Sequence, residues 1–122
     1  MFLTVDQAAN FLKKDRFHIN YLIHMNKLEA VKFGKEWRIA PKAVENYEKQ
    51  ISTSTDCYKK IIESQGAILS IRDIAVCFQY EWHAIHRLIT GQIPAWKDDE
   101  GNWCIARSDL LEYCSKRLNL CE

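Results

Sequence analysis

Hydrophobic residues near the start of the chain recur with the period of an α-helix. The first stripe, at positions i, i+3, i+4 and i+7, consists of Val5, Ala8, Ala9 and Leu12. After a short turn at residues 13–15, a second stripe consists of Ile19, Leu22 and Ile23. Such stripes predict amphipathic helices that each bury one face. Two of them separated by a tight turn are typical of a helix-turn-helix.

The segment that follows alternates apolar and charged residues, which predicts a β-hairpin. With a three-residue loop at 34–36, one face of this hairpin consists of Val31, Phe33, Trp37 and Ile39. Lys32 and Arg38 then lie on the opposite face. The sequence therefore predicts a basic hairpin with an apolar underside.

The same order of elements occurs a second time. Displacing the sequence by 66 residues aligns residues 3–5 with 69–71, and residues 30–32 meet 95–97 where one residue is absent from the second copy. Further aligned pairs are Ala9 with Ala75, Ile19 with Ile85, Leu22 with Leu88, Ile23 with Ile89, Trp37 with Trp103, Ile39 with Ile105 and Tyr47 with Tyr113. Chance rarely preserves the order of so many apolar positions, so the pattern indicates a duplicated structural unit.

Helix start signals support both copies. Thr4 and Ser70 are hydroxyl residues placed three positions before Gln7 and Asp73, whose side chains can reach back to the cap. Gln7 fits a capping box, and Asp73 is a weaker version of it. The first helix of the second copy has its own stripe, which consists of Ile71, Ile74, Ala75 and Phe78.

Each copy closes with a hairpin and a third helix. Pro41 is suited to the first turn of one such helix, and Ser108 is expected to cap the other. In the second copy the tip of the hairpin, at residues 98–100, is acidic. Trp37 and Trp103 are assigned to packing, because a tryptophan at the base of a small hairpin is far more often core than a stacking platform for single strands.

These patterns predict a mainly α fold with short β-hairpin wings, arranged as two tandem winged helix-turn-helix domains. Domain 1 covers residues 1–50, and domain 2 covers residues 68–122. The linker at 51–67 is expected to be partly helical, with a loop at 51–55 and a short helix at 56–64.

The composition favours an ordinary globular protein, since 48% of the residues are hydrophobic and 27% are charged. No stretch approaches the roughly 18 consecutive apolar residues of a membrane span, and the N-terminus lacks a signal core, so we expect a soluble protein with no membrane partner. The charge is unevenly distributed. Residues 1–50 carry nine Lys and Arg against six Asp and Glu, whereas residues 68–122 carry six against eight.

The cysteines and histidines form no recognised metal or catalytic pattern. The five cysteines, without a C-x-x-C pair or regular spacing, are Cys57, Cys77, Cys104, Cys114 and Cys121. We interpret them as reduced packing residues. His83 and His86 stand at i and i+3, but their spacing from the cysteines fits no zinc site. No nucleophile with its base and oxyanion hole, and no phosphate-binding glycine loop, can be assembled. We expect no enzymatic activity, no metal, no cofactor and no small-molecule ligand.

Three strings of the first copy resemble the DNA-binding domain of phage-type excisionases and related MerR-like regulators: LTVDQAA at 3–9, LI at 22–23 and LEAVKFGKEWRI at 28–39. The second copy is similar in a diverged form, recognisable at residues 69–71, 88–89, 93–95 and 103–105. The resemblance implies that the second helix enters the major groove while the wing touches the adjacent backbone or minor groove. It also implies a cytoplasmic, nucleoid-associated protein of bacterial or phage type.

Two departures from the family pattern prevent any transfer of base preference. The turn position where the family commonly has Gly is Lys13 in the first copy and Gln79 in the second. The position where the family usually has Arg is Tyr21 in the first copy but Arg87 in the second.

The outer face of the second helix is the main candidate for DNA contact in the first copy. If the aliphatic stripe faces the core, helical spacing places six residues on the other side: Arg16, Phe17, His18, Asn20, Tyr21 and His24. Arg can address guanine and Asn can address adenine, while Tyr or His can donate to phosphates or bases. Further phosphate contacts, independent of sequence, are expected from Lys14, Lys32, Lys35 and Arg38.

The corresponding candidates in the second copy are Trp82, His83, His86, Arg87 and Thr90 from the helix, with Lys97 and Asn102 from the hairpin. The acidic run at 98–100 should repel phosphate. This wing is therefore expected to stand clear of the DNA backbone, or the unit contacts DNA mainly through its helix.

Three functions are compatible with these features. The leading hypothesis is a sequence-specific regulator that binds double-stranded DNA and represses transcription by occlusion. The second is an excisionase-like factor that bends DNA for a recombinase. The third assigns the acidic second copy to protein interaction or dimerisation, which leaves a homodimer open as a further partner. Against all three stands the plain alternative that an exposed polar helix face is merely solvated.

Overall fold

The computed structural model of the chain describes residues 1–50 and 57–119, which form seven helices and five short strands. The elements follow in the order α1 (Val5–Leu12), α2 (Arg16–His24), β1 (Val31–Phe33), β2 (Glu36–Arg38), α3 (Pro41–Glu48), α4 (Cys57–Glu63), β3 (Ile68–Leu69), α5 (Ile71–Phe78), α6 (Trp82–Ile89), β4 (Trp96–Lys97), β5 (Trp103–Ala106) and α7 (Arg107–Lys116). All strand pairs are antiparallel. The prediction of a mainly helical fold with short hairpins is confirmed at this level.

The capping signals are confirmed in both copies. At the start of α1, the Gln7 N–H donates to the Thr4 hydroxyl at 3.2 Å, and the Gln7 side chain accepts from the Thr4 N–H at 3.0 Å. At the start of α5, Asp73 and Ser70 make the same two bonds at 3.1 and 3.0 Å. The shorter Asp73 side chain, expected to be the weaker partner, closes its capping box as well as Gln7 does.

The turns that end α1 and α5 share an unusual backbone conformation. Lys13 and Gln79, the C-cap residues, have φ angles of +57° and +50°. This left-handed region favours glycine, because a side chain there meets the following carbonyl. The conformation therefore gives a physical reason for a glycine at this turn, and both copies adopt it with a longer residue.

The first hairpin has a different register from the predicted one. Phe33 pairs with Glu36, so the loop contains two residues, Gly34 and Lys35, rather than three. Gly34 has a φ of +63°, as such tight turns require. The shorter loop places Arg38 directly opposite Val31, on the buried side. The expectation that Arg38 lies on the solvent-exposed face is therefore wrong.

Trp37 is displaced by the same change of register. It is the cross-strand partner of Lys32, whose ammonium lies 5.2 Å from the centre of the Trp37 ring. The side chain is half-buried and packs against the edge of the core. Trp37 is thus a packing residue as predicted, but it lies opposite Lys32 rather than beside Val31 and Phe33.

A third chain segment joins each hairpin at an equivalent place. Leu3 bridges to Ile39 in the first half, and Leu69 in β3 pairs with Ile105 in β5, 66 residues further along. The second hairpin has a longer loop, at residues 98–102, because Lys97 pairs with Trp103. The duplication read from the sequence is therefore matched by the same strand pairing in each half.

The last helices begin at equivalent positions. Pro41 starts α3 after an Ala40 N-cap, and Arg107 starts α7 after an Ala106 N-cap. Ser108 consequently lies inside the first turn of α7, and its predicted role as the cap is wrong. In the linker, the predicted helix is present as α4, whereas the predicted loop at 51–55 lies outside the described residues.

Both halves contribute to one buried apolar cluster. The predicted stripes of α2 and α6 are buried in it, and at its centre the Phe78 ring stacks on Phe2 at 4.4 Å and on Phe33 at 4.0 Å. After α7, the chain bonds along the outer edge of β1, where the Lys32 N–H donates to the Arg117 carbonyl at 2.9 Å. The first hairpin is therefore enclosed by residues of the second half. The boundaries of the two predicted domains stay a prediction.

Candidate functional site

The outer face of α2 is open to solvent, as helical spacing predicts. Arg16, Phe17, Tyr21 and His24 are exposed, and 79% of Phe17 is accessible. His18 and Asn20 are half-buried at the margin of the face. Asp15 caps the helix by accepting from the His18 N–H at 2.7 Å. The face thus combines donors suited to base edges with two exposed aromatic rings.

Lys14 and Arg16 flank the beginning of this helix. Both are exposed, and the Arg16 Nε lies 3.8 Å from a carboxylate oxygen of Asp6. Such an exposed, long contact contributes little to stability, so the guanidinium remains available to a stronger acceptor. Both a DNA phosphate and a guanine base are acceptors of this kind for the Arg16 guanidinium.

The outer face of α6 combines one cation with two aromatic rings. Trp82, His83 and Arg87 are exposed, and the rings of Trp82 and His83 lie 3.7 Å apart. Thr90, also exposed, donates from its hydroxyl to the Arg87 carbonyl at 3.0 Å. This face offers one guanidinium and a close, tilted pair of rings rather than a row of donors.

His86 is directed away from this outer face. Its Nε2 accepts a hydrogen bond from the Trp103 indole N–H at 3.2 Å, and the two rings meet edge to face. The side chain is half-buried against the second hairpin. His86 therefore positions Trp103, and the expectation that it lies on the open contact face is wrong. Nothing in the local helical period indicates this partner.

The three basic candidates on the first hairpin differ in their exposure to solvent. Lys35 is exposed, and Lys32 is half-buried over Trp37. Arg38 is only 7% exposed. Its guanidinium donates to the carbonyls of Phe78 at 2.7 Å, Gln79 at 3.1 Å and Trp37 at 2.9 Å. Burial lowers the pKa of Arg38, although the nearby Glu36 opposes that shift.

Arg38 is therefore a structural anchor. Two of its three acceptors are the last carbonyls of α5, where a cation is favoured by the helix dipole and by unpaired carbonyl groups. A phosphate would have to break these bonds to reach it. The expected phosphate contact from Arg38 is corrected on this ground.

Sequence reasoning missed the residues that hold the tip of the first hairpin. The hydroxyl of Tyr113 accepts from the Gly34 N–H at 3.2 Å, and that of Tyr80 accepts from the Lys35 N–H at 3.3 Å. Arg117 donates to the carbonyls of Lys32 and Gly34. These partners lie at least 45 positions away in sequence, so no local pattern signals them.

The second hairpin remains open at its tip. Lys97 and Asn102 are exposed, and the Lys97 ammonium lies 5.2 Å from the centre of the Trp103 ring. The loop at 98–102 is closed by the Asp98 carboxylate, which accepts from the N–H groups of Glu100 and Asn102 at 2.9 Å each. Its three acidic residues are exposed, which gives this tip a negative charge.

The cysteines within the described ranges are free thiols: Cys57, Cys77, Cys104 and Cys114. Burial raises the pKa of Cys77 and Cys114, which makes both thiols poor nucleophiles. In residues 1–50 and 57–119, no three His, Cys, Asp or Glu side chains are grouped so that they could hold a metal ion. None of the helices in this part of the chain is long and apolar enough to cross a membrane.

No family model, curated protein or solved structure matches this chain. The features that bear on function are the duplicated helical pairs, their exposed faces and the charges around them.

Proposed function

We propose that this protein binds double-stranded DNA through two winged helix-turn-helix units, with α2 and α6 as the helices that enter the major groove. The observation that carries the proposal is the duplicated presentation of the second helix. In each half it buries three aliphatic residues and leaves polar and aromatic groups on the opposite side. An exposed helix on a small, fixed support is the geometry that major-groove readers use.

The first unit is the stronger reader. Arg16 and Asn20 have the side chains that discriminate guanine and adenine in the major groove, each pairing being worth roughly 1–3 kcal/mol. Tyr21 and His24 extend the same exposed face. Lys14 and Lys35 are exposed beside it and are suited to phosphate contacts.

The second unit reads through its helix rather than its wing. Arg87 and the Trp82–His83 pair are exposed on α6. The acidic loop at 98–102 would be repelled by phosphates. We therefore place this loop away from the DNA backbone.

The contacts between the halves restrict how the two helices can approach DNA. Because Phe2, Arg38 and Gly34 bond directly to residues of the second half, the spacing of the two helices is fixed by packing. A bipartite site with a fixed separation of about 10 bp, or a multiple of it, follows for two units on one duplex. Such a site suits repression by occlusion of a promoter.

The test is selection of bound sequences from a random DNA pool, followed by titration of variants on the selected and on random duplexes. Arg16→Ala and Asn20→Ala should each reduce the preference for the selected site by roughly 5- to 150-fold. Lys35→Ala should weaken binding to both duplexes alike and lower the salt slope by about 1. Lys60→Ala, an exposed lysine on α4, is the matched control and should change neither.

Equal losses on both duplexes for all three interface variants would refute base reading by α2. Arg87→Ala then decides whether the second unit takes part. A footprint that shrinks to one element with Arg87→Ala supports two readers, and an unchanged footprint assigns DNA binding to the first unit alone.

The exposed acidic loop at 98–102 favours a second candidate role for the second half, that of a protein-interaction module.

An excisionase-like role differs from repression because it requires the bound DNA to be bent. Circular-permutation electrophoresis of the selected site would measure that bend. A straight complex would exclude that role.

A further inference from the structure

The two halves contact each other through different surfaces, so their interface is head to tail. The first half supplies a groove between the residues before α1 and the first hairpin. The second half inserts the end of α5 into it: the Phe78 ring stacks on Phe2 at 4.4 Å, and the Gln79 side chain donates to the Phe2 carbonyl at 2.6 Å. Gln79 and Gln7 also pair through their side-chain amides. We name these two surfaces the groove and the helix end.

The second half has its own groove, and it is open. A cleft of about 520 Å³ is lined by residues 68–73, Asp98 and residues 101–104. Subtracting 66 converts 68–73 and 101–104 into 2–7 and 35–38, and the one-residue offset of the hairpin matches Asp98 with Phe33. These positions form the region of the first half that receives the end of α5. Ile68, at the position of Phe2, is 60% exposed.

The first half likewise has its own helix end, and it too is open. Phe11, at the position of Cys77, is 53% exposed. Lys13 and Lys14 follow at the positions of Gln79 and Tyr80, and both are exposed. Residues 1–50 and 57–119 therefore contain one used and one unused copy of each surface.

The two unused surfaces are complementary in charge. The Gln7–Gln79 amide pair of the used interface corresponds to Asp73 and Lys13 in the unused one, a carboxylate and an ammonium. Tyr80, which touches the loop of the first hairpin, corresponds to Lys14, and the second loop carries three acidic residues. Opposite charges placed this way attract and set the register of an encounter.

We propose that the open groove of the second half binds the helix end of a second copy of this chain. By the same equivalence, Ile68 of one molecule lies against Leu12 and the exposed Phe11 of the next, as Phe2 lies against Phe78 and Cys77. Asp73 then pairs with Lys13 as Gln7 pairs with Gln79. Because the contact is heterologous, each bound molecule still presents one free groove or one free helix end. Association therefore continues head to tail beyond a dimer.

The substitutions between the copies make this contact weaker than the one within the chain. Arg38, which donates three hydrogen bonds, is replaced by Cys104 at the equivalent position. The buried Phe33 is matched by Asp98 once the one-residue offset is included. An interface that depends on exposed charges is screened by salt, so the association is reversible and strongest at low ionic strength.

Sedimentation velocity on the full chain over a range of concentrations tests the proposal. DNA is left out, because Lys14 is also among the residues proposed to contact phosphate. The wild-type protein should form species larger than a dimer at low salt and dissociate as salt rises. Phe11→Asp and Ile68→Asp should each reduce the association constant by about tenfold or more while the circular dichroism spectrum is unchanged.

Mixing the two variants gives the decisive result. Phe11→Asp keeps an intact groove and Ile68→Asp keeps an intact helix end, so an equimolar mixture should form a 1:1 dimer and nothing larger. Val76→Asp is the matched control, since Val76 is an apolar residue of α5 that is 61% exposed and outside both surfaces. It should associate as the wild type does.

Several results would overturn the proposal. A wild-type protein that stays monomeric at all concentrations and low salt has no such contact. Association that survives either single substitution uses other surfaces. A closed dimer that both substitutions abolish and that mixing does not restore is isologous rather than head to tail.

Discussion

The two hairpins occupy the same position in the two copies, and each sets a lysine over a tryptophan at 5.2 Å. The first is enclosed: its loop bonds to Tyr80 and Tyr113, and its free edge pairs with the chain after α7. The loop of the second is stabilised internally by Asp98 and is exposed to solvent. The same local pattern thus supports packing in one copy and an open charged surface in the other.

A basic hairpin sequence therefore does not by itself show that the basic side chains are free to contact DNA. The first hairpin carries the basic residues but gives its arginine to the end of α5. Base reading is therefore assigned to the outer faces of α2 and α6, and only the exposed Lys35 of the first hairpin is kept as a proposed phosphate contact. Residues that join the halves should therefore contribute more to stability than their counterparts in the other copy.

Phe78→Ala should have the largest effect. The ring is fully buried between Phe2 and Phe33, so its loss leaves a cavity at the junction of the halves and should cost about 4 kcal/mol in the free energy of unfolding. Leu12 is the counterpart and is only half-buried, so Leu12→Ala should cost about 2 kcal/mol. Urea denaturation followed by circular dichroism measures both. Equal losses would contradict the unequal burial of the two helix ends.

Arg38→Ala comes next. It removes three hydrogen bonds from a guanidinium and leaves the carbonyls of Phe78 and Gln79 without that donor, which should cost about 3 kcal/mol. Cys104→Ala, at the equivalent position of the second hairpin, should change the free energy of unfolding by less than about 0.5 kcal/mol. The same urea titrations apply. If Arg38→Ala left stability unchanged but weakened DNA binding, the arginine would be a phosphate contact after all.

The helix stripes and capping boxes could be predicted from the sequence because their causes lie within a few residues. Thr4 and Gln7 form a local motif, and the spacing of Ile19, Leu22 and Ile23 fixes which face of α2 is open. Arg38 could not be placed in this way. Two of its three acceptors, the carbonyls of Phe78 and Gln79, lie some 40 residues away in the sequence. The inward direction of the Arg38 side chain depends on these distant carbonyls, which no local pattern reveals.

The candidate site was predictable to the same degree. Period alone places Arg16 and Tyr21 outside and the aliphatic stripe inside. It also places His86 outside, which is wrong. His86 accepts a hydrogen bond from the indole N–H of Trp103 in the second hairpin, and the helical period gives no information about such a distant partner. The cap at Ser108 failed for a related reason: β5 continues directly into α7, so the helix begins before the serine is reached.

The pH dependence of stability should report on the junction of the halves. Burial raises the pKa of the Tyr113 hydroxyl above its ordinary 10.0 and those of the Cys77 and Cys114 thiols above 9.0. Above these ordinary values the three groups ionise in the unfolded chain but keep their protons in the folded chain. Their contribution to stability is therefore complete below about pH 8.5 and is lost as the pH rises. Urea midpoints between about pH 8 and pH 10.5 should show the decline.

Tyr113→Phe separates the hydroxyl from the thiols. At neutral pH it should cost about 1 kcal/mol, because the Gly34 N–H loses its acceptor. It should also reduce the alkaline decline, since one of the three groups no longer ionises. Tyr47→Phe, the counterpart in α3, is the control and should leave the first hairpin's bonds intact. If stability declined equally at alkaline pH with and without the Tyr113 hydroxyl, this hydroxyl would not contribute to the pH dependence.

The smallest effects should come from the two left-handed turns, and they should have opposite signs. Glycine relieves the strain of a positive φ, so Lys13→Gly should stabilise the fold by about 0.5–1 kcal/mol. Gln79→Gly gains the same relief but loses the side-chain bonds to the Phe2 carbonyl and to Gln7. Its net effect should be a loss of about 0.5–1 kcal/mol. Thermal and urea unfolding at low protein concentration, where separate copies do not associate, would measure both. If both substitutions stabilised the fold, the Gln79 side chain would contribute nothing to the junction. Because the two turns have the same backbone conformation, effects of opposite sign would come from the bonds of Gln79 to Phe2 and Gln7, which Lys13 lacks.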